Sequence, residues 1–301
     1  MIKVSVLMIT YNHEKFIEEA VLGVLNQKCN FEFELVIAND NSPDNTDIVI
    51  RKLLEKSANR KRIKYTKHKN NKGPNSNFMW AFNNSSGKYI AMCEGDDYWT
   101  DPKKLQKQVD FLDNNLDYNI CVHNTDTMKD AELLKKEWRW DPKRTTFTAI
   151  DYIYSLFFHT SSAIFRKEAS SKNILHPNIL QGDMALFLSV INDKKVFFME
   201  ESMSVYRLHP GGITNSPNHK SYELEYKSLL YILEKFNFLS NYKFRNVIWL
   251  KKQTIKSLIF IFDQTKEKKI KPFVRFKYYL FKIVLLTSVK IYAKLNGFKL
   301  Y

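Results

Sequence analysis

Two adjacent carboxylates, Asp96 and Asp97, stand just after an apolar run in KYIAMCEGDDYW (88–99). Such a pair suits a hard divalent cation, Mg²⁺ or Mn²⁺, with one carboxylate holding the ion while phosphate oxygens and water complete its shell. A cation so held neutralises charge on a departing diphosphate. The same residues also read as a solvated acidic turn capping the next helix. Asp40, in FELVIANDNS (33–42), either accepts a hydrogen bond from a base or ribose or makes an Asx-turn at the following helix. The ring of Tyr11 either stacks on a nucleobase or closes the end of a strand. Asp183 opens the apolar segment QGDMALF (181–187), where a carboxylate serves as general base or as N-cap. The dipole of that helix would lower its pKa, which suits the cap better than the base. Arg207 and His209 precede a glycine pair in YRLHPGG (206–212). They either close over a phosphate, which Arg grips bidentately, or simply end a strand. His13, His68, His123, His159, His176 and His219 show no ligand spacing and read as solvent or packing residues.

These residues need elements to position them. VSVLMIT (4–10), FELVIAND (33–40), RIKYTKH (62–68), KYIAMC (88–93) and NICVHNT (119–125) read as strands, the first apolar enough to be buried on both faces. Helices are predicted over 16–27, 44–58 and 101–115, and between Gly73-Pro74 and Gly87. Asp44 or Ser42 is the expected cap of the second, and Asp101 of the helix beginning Asp101-Pro102. Strand and helix alternating with short connections imply a parallel sheet flanked by helices. In such sheets ligands bind beyond the carboxyl ends of the strands. Thr10 to Asn12, Asn39 to Ser42 and Glu94 to Trp99 would then share one rim. After residue 125 the alternation weakens. A strand is expected in 161–168, a helix over 183–193, one or two strands in 194–212, and helices over 221–239, 243–262 and 273–295.

Composition narrows the classes. The chain has 301 residues, 44% hydrophobic and 26% charged, ordinary for a globular protein. There is no GxGxxG, no GxxxxGK[ST], no HExxH and no GxSxG, which argues against dinucleotide-binding dehydrogenases, P-loop enzymes, zinc proteases and α/β-hydrolases. Cys29, Cys93 and Cys121 make neither a zinc pattern nor a disulfide framework, as expected in a reducing cytoplasm. The N-terminus lacks the features of a signal peptide, and no stretch of 18 residues is free of charge. The net charge is +15, but residues 241–301 hold 15 Lys+Arg against 2 Asp+Glu, leaving a nearly neutral body.

Together the segments VSVLMITYNHEKFIEEAVLGVLNQ, FELVIANDNSPDNT, GKYIAMCEGDDYWTDPKKLQKQVDFL, QGDMALF and VYRLHPGGIT resemble the family-two glycosyltransferases of GT-A fold. The resemblance covers 3–115 closely and 160–215 more loosely. It implies an α/β, GT-A-like, mostly parallel central sheet with a basic helical C-terminal extension. It also implies an inverting transfer from a nucleotide-diphospho-sugar, a UDP-sugar by expectation, assisted by Mn²⁺ or Mg²⁺. By position, Thr10, Tyr11 and Asp40 correspond to nucleoside contacts, and Asp96 and Asp97 to the metal and ribose pair, with Asp97 as metal ligand. Trp99 corresponds to an aromatic residue near the acceptor, Asp183 to the catalytic base, and Arg207 and His209 to a loop over the diphosphate. Asn39 stands where Asp is common, and Gln181-Gly182-Asp183 replaces a frequent Glu-Asp pair. A catalytically inactive sugar-nucleotide-binding or scaffold relative and a nucleotidyltransferase are the alternatives.

The organisation expected is a catalytic domain over 1–220 and a basic helical region over 221–301. Within 273–295, Arg275, Lys282, Lys290 and Lys294 share one arc of a helical wheel opposite mostly apolar residues. That pattern suits an anionic membrane surface; a helical pair packed on protein is the other reading. The expected location is cytoplasmic, peripheral on the inner face of the plasma membrane. The acceptor would be a cell-surface glycan or lipid-linked precursor, with no nucleic-acid partner and a possible homo-oligomer.

Overall fold

Residue by residue, VSVLMIT forms strand β1 (Val4–Thr10), with Val4, Val6 and Met8 fully buried. A strand this apolar on both faces belongs inside a sheet. It pairs in parallel with β2 (Phe33–Asn39) on one side and, beyond α1 (Ile17–Leu25), α2 (Thr46–Lys56), β3 (Ile63–Lys67) and α3 (Pro74–Asn83), with β4 (Tyr89–Met92) on the other. β3 lies parallel to β2 at the outer edge. The structure is a computed structural model that describes residues 1–139, 141–170, 179–212 and 222–266. The chain divides into two compact units, Met1–His219 and Lys220–Tyr301.

The first unit continues with β5 (Tyr98–Trp99), α4 (Lys104–Asn114), β6 (Tyr118–Lys129), β7 (Glu132–Leu134), β8 (Thr146–Phe147), α5 (Ala149–Tyr154), β9 (Ile164–Arg166), α6 (Gly182–Ile191) and β10 (Lys195–Leu208). All ten strands join one sheet, in the order β3-β2-β1-β4-β9-β6-β10-β5, with β7 added to β6 and β8 to β10. The fold is therefore the expected flanked α/β sheet, but the sheet is mixed. β9 is antiparallel to β4 and β6, while β5 and β8 are antiparallel to β10, and β7 to β6. The reach 194–212 holds a single long strand whose pairing with β6 slips at three places, which bends it along the sheet.

Helix ends depart from expectation by a few residues. α4 starts at Lys104, because Asp101 accepts from the Lys103 N–H at 2.7 Å in an Asx-turn outside the helix. α2 starts at Thr46, with Asp44 accepting its N–H at 3.1 Å and Ser42 turned instead to the Asn12 N–H at 3.1 Å. α3 is entered through Gly73 at φ +81°, a conformation Gly adopts without strain, and ends at Asn83, short of Gly87.

The second unit contains α7 (Tyr222–Leu239) and α8 (Arg245–Lys266). Asn241 and Tyr242 turn the chain through left-handed backbone between them. Ile232, Leu233 and Phe236 are buried on α7, as are Val247, Ile248 and Ile255 on α8, and Phe236 stacks on Phe244 at 5.3 Å. The expected helix over 273–295 lies outside the described residues. No helix among the described residues is long and apolar enough to cross a membrane.

Candidate active site

β1 and β2 are each followed, two residues on, by an Asn with left-handed backbone, Asn12 at φ 64° and Asn41 at φ 60°. Asn tolerates that conformation, so each strand breaks sharply and delivers its polar residues to the carboxyl edge. The Asp40 N–H donates to the Thr10 carbonyl at 2.9 Å, which sets the two rim segments side by side. Asp40 is buried, and its carboxylate accepts the backbone N–H groups of Lys72 at 2.7 Å and Gly73 at 2.9 Å. Asn39 is also committed: it accepts from the Ser42 N–H and donates to Tyr65 Oη. Tyr11 projects outward and is 47% exposed.

The acidic turn leaves β4 and runs into β5, whose pairing with Ser204 and Val205 fastens it to β10. Gly95 makes the turn possible, since a Cβ there would come within 2.6 Å of Thr10 Oγ1 and 3.0 Å of His13 Nδ1. The turn consequently lies directly against the end of β1. Asp96 Oδ2 is 3.1 Å from His209 Nε2 and 3.5 Å from His13 Nε2. His13, Asp96 and His209 can bring one ligand atom each within 4.8 Å of one another, and so can Glu94, Asp96 and Asp97. Asp96 belongs to both groups. Thr10 Oγ1 lies 3.2 Å from His13 Nδ1. When Nδ1–H donates to it, Nε2 keeps its lone pair toward Asp96, the tautomer a metal ligand needs.

The expected roles divide once the side chains are located. His13 and His159, read as solvent or packing residues, both reach the acidic turn; His159 Nδ1 is 3.6 Å from Asp97 Oδ2. Asp97, the expected metal ligand, is buried, and its Oδ1 accepts the Arg207 N–H at 3.0 Å. Its Oδ2 is buried without a hydrogen-bond partner. Arg207 is buried as well and does not lie free to cover a diphosphate. Its guanidinium donates to the Asp96 carbonyl at 2.7 Å, pairs with Glu19 and sits 4.2 Å from the Tyr98 ring centroid. His209 turns toward Asp96 rather than outward. Trp99, expected on the acceptor side, is only 4% exposed; its Nε1 donates to the Ser161 carbonyl at 3.0 Å, so it is a core residue.

Asp183 stands in the first turn of α6, and Asn75 ties that end to the start of α3 by donating to the Ile179 carbonyl at 2.5 Å. The residue is solvent-exposed, and desolvation by the atoms around it raises its carboxyl. The backbone N–H groups at the helix start oppose that rise without cancelling it. Its charge is felt at Glu94, which burial first, then Asp96 and Asp183, push up to about 8. Burial also holds Asp97 well above the carboxylate range, reinforced by Asp96 and Glu94 and opposed by Arg207. Asp96 differs. Burial acts to raise it, but the hydrogen bond from His209 and the field of His13 bring it below the usual range. Desolvation lowers His13. The turn thus has one ionised carboxylate facing two imidazoles, with two protonation-prone carboxyls behind it.

These residues fit a divalent cation. Two imidazoles and a carboxylate suit Mn²⁺, which accepts nitrogen donors more readily than Mg²⁺. The unpartnered Asp97 Oδ2 adds an acceptor nearby.

A model of the Glycosyl transferase family 2 matches residues 5–173. An uncharacterized protein of Mycobacterium tuberculosis is 33% identical over 217 residues, covering 70% of this chain and 60% of that protein. The chain thus spans about 60% of the length of the first curated relatives it matches. A GalNAc(5)-diNAcBac-PP-undecaprenol beta-1,3-glucosyltransferase of Campylobacter jejuni is 24% identical over 78% of this chain and 75% of its own. Among solved structures, residues 1–349 of S. aureus TarS in complex with UDP-GlcNAc superpose with TM-score 0.68 at 20% identity, covering 90% of this chain and 77% of that one. That likeness shows the GT-A-like fold.

Proposed function

The chain belongs to glycosyl transferase family 2, and from that premise we propose a metal-assisted, inverting transfer of a sugar from a UDP-sugar to a hydroxyl of a lipid-linked or cell-surface glycan acceptor. The observation that carries the reading is the convergence of Asp96, His13 and His209 beside the rim that holds Thr10, Tyr11 and Asp40. Tyr11 offers a ring face to the base. Each Asp40 oxygen, already accepting one N–H, keeps a further lone pair for the nucleoside. Asp96, His13 and His209 would hold Mn²⁺, with Asp97 behind them. Such an ion supplies electrostatic stabilisation of the diphosphate leaving group.

Asp183 is the general base of this reading. It takes the acceptor hydroxyl proton as that oxygen bonds to the anomeric carbon. The bond from that carbon to the diphosphate oxygen breaks, and its electron pair leaves on the nucleoside diphosphate. One displacement inverts the centre and needs no covalent enzyme nucleophile. Desolvation favours this role by making the Asp183 carboxylate a stronger base. The named acceptor of the Campylobacter relative, an undecaprenol diphosphate, supports a lipid-linked acceptor. The 15 Lys+Arg against 2 Asp+Glu over 241–301 suit a peripheral site on the cytoplasmic face of the plasma membrane.

A panel of nucleotide-sugars with Mn²⁺ or Mg²⁺ and undecaprenol-linked acceptors tests the proposal. Asp183→Asn is expected to lower turnover on the order of 10²–10⁴-fold while donor binding persists. Asp96→Asn is expected to weaken Mn²⁺ and donor binding together. Transfer unchanged in both folded variants would refute the assignment, and release of pyrophosphate instead of nucleoside diphosphate would make the protein a nucleotidyltransferase.

A further inference from the structure

The α7–α8 pair presents large aromatic side chains on its outer surface. Phe238 is 65% exposed, Tyr242 55% and Trp249 59%. Seven residues before Phe238, on the same stripe of α7, Tyr231 is also exposed. The stripes of the two helices lie on one side of the pair. Glu234, between Tyr231 and Phe238 on α7, bonds Lys252 at 2.5 Å, and Lys252 stands one turn beyond Trp249 on α8. At the turn joining the helices, Phe238 and Tyr242 meet edge to face at 6.5 Å. The apolar residues that hold the helices together, Phe236, Phe244, Val247 and Ile248, occupy the opposite side. The aromatic residues of the outer face are therefore surplus to the packing of the pair.

Charge selects the occupant. Glu234 is matched by Lys252, and from 236 to 251 the chain adds three cations, Lys243, Arg245 and Lys251, with no acid. Lys243 and Arg245 are exposed, Lys243 next to Tyr242 in the chain and Arg245 one helical turn before Trp249. A second copy seated two-fold on this face would bring like charges together. An anionic bilayer meets both features: aromatic rings settle at the headgroup level and Lys and Arg pair with the phosphates. We propose that the outer face of the α7–α8 pair, centred on Phe238, Tyr242 and Trp249, docks on the surface of a bilayer carrying anionic phospholipid. The proposal rests on the peripheral-membrane reading given above; docking needs no sugar transfer and is read without it, so it stands or falls apart from the catalytic assignment.

The test uses the full chain with vesicles of phosphatidylcholine alone and of phosphatidylcholine mixed with phosphatidylglycerol. The full chain should sediment with the mixed vesicles and much less with the neutral ones. Lys243→Gln with Arg245→Gln should lower the partition coefficient roughly 25-fold, at about five-fold per charge. Phe238→Ser, Tyr242→Ser and Trp249→Ser combined should lower it at least as far, with circular dichroism unchanged. Brominated lipid should quench tryptophan fluorescence in the parent chain, and Trp249→Phe, which keeps an aromatic anchor, should abolish most of that quenching while vesicle binding persists. Quenching that survives in Trp249→Phe, or vesicle binding that survives the triple substitution, would overturn the proposal. So would a triple variant that changes oligomeric state and leaves vesicle binding intact, since the face would then join two copies.

Discussion

Replacing Lys104 by Met tests the electrostatic reading of the layer behind the acidic turn. Lys104 is fully buried on α4, with Nζ 2.8 Å from Gln108 Oε1 and 4.1 Å from the Trp99 ring centroid. Desolvation brings its pKa from 10.5 down to about 7, against weaker opposing fields from Cys93, Cys121 and Asp101. At about 1.4 kcal/mol per pKa unit, holding this lysine in the folded protein costs on the order of 4–5 kcal/mol at neutral pH. Met fills similar space without the charge but leaves Gln108 Oε1 unmatched, at about 1–3 kcal/mol. Lys104→Met is therefore expected to be more stable than the parent by about 2 kcal/mol near pH 7. The sign of the pH dependence is fixed by linkage. Below about 7 the lysine is charged in both states and its cost is full. Between about 7 and 10.5 the unfolded chain binds more protons, so the parent gains up to about 1.4 kcal/mol per pH unit relative to the variant. Urea unfolding followed by circular dichroism from pH 7 to 10 measures this difference. A difference that stays flat across that range would refute the depressed pKa and the dry layer it implies.

Three further outcomes are expected. His13→Ala leaves Asp96 with His209 alone and should weaken Mn²⁺ binding about tenfold or more in a paramagnetic-resonance titration; unchanged affinity would remove His13 from the site. Gly95→Ala drives a methyl toward Thr10 and His13, so it should cost about 1–3 kcal/mol of stability and weaken Mn²⁺ binding as well, read by denaturant unfolding and the same titration. Arg166→Leu removes the donors that the buried guanidinium supplies to the carbonyls of Tyr118 and Leu112 and to the Tyr89 hydroxyl, which keeps its bond to Asp113, and should destabilise by about 3 kcal/mol in urea; a loss under about 1 kcal/mol would contradict that role.

The parts of the fold legible in the sequence are those with long, regular signals. β1 and β2 are apolar runs broken only by Ser5 and Glu34 before their polar ends, and α4 repeats its buried Leu105, Val109 and Leu112 at helical spacing. β5 and β8 have two residues each and β7 three, too short for any period to register, so the antiparallel part of the sheet was hidden. The site divides the same way. Asp40, Asp96 and Asp183 stood out as candidates because each follows a strand or opens a helix. His13 and His209 could not be read as partners of Asp96, because they meet it only when the ends of β1 and β10 come to the same edge, and ligand spacing rules see local sequence alone. The inward course of Arg207 was hidden for a different reason. A guanidinium near the end of a strand normally points to solvent, and only the carbonyl of Asp96, Glu19 and the Tyr98 ring draw it inward. Trp99 gave no local sign that Lys104 and Ser161 would enclose it.

The position of β10 has a consequence for how the molecule is made. A ribosome releases the acidic turn more than a hundred residues before it releases Arg207 and His209. Until β10 slots beside β6, Asp97 lacks the N–H that satisfies it and Asp96 lacks one of its two imidazoles. A nascent or prematurely terminated chain ending before residue 195 therefore leaves Asp96 with His13 alone and Asp97 without the backbone donor of Arg207. The late strand acts as a completeness check: the acidic turn acquires its full set of partners only when a nearly whole first unit has been made.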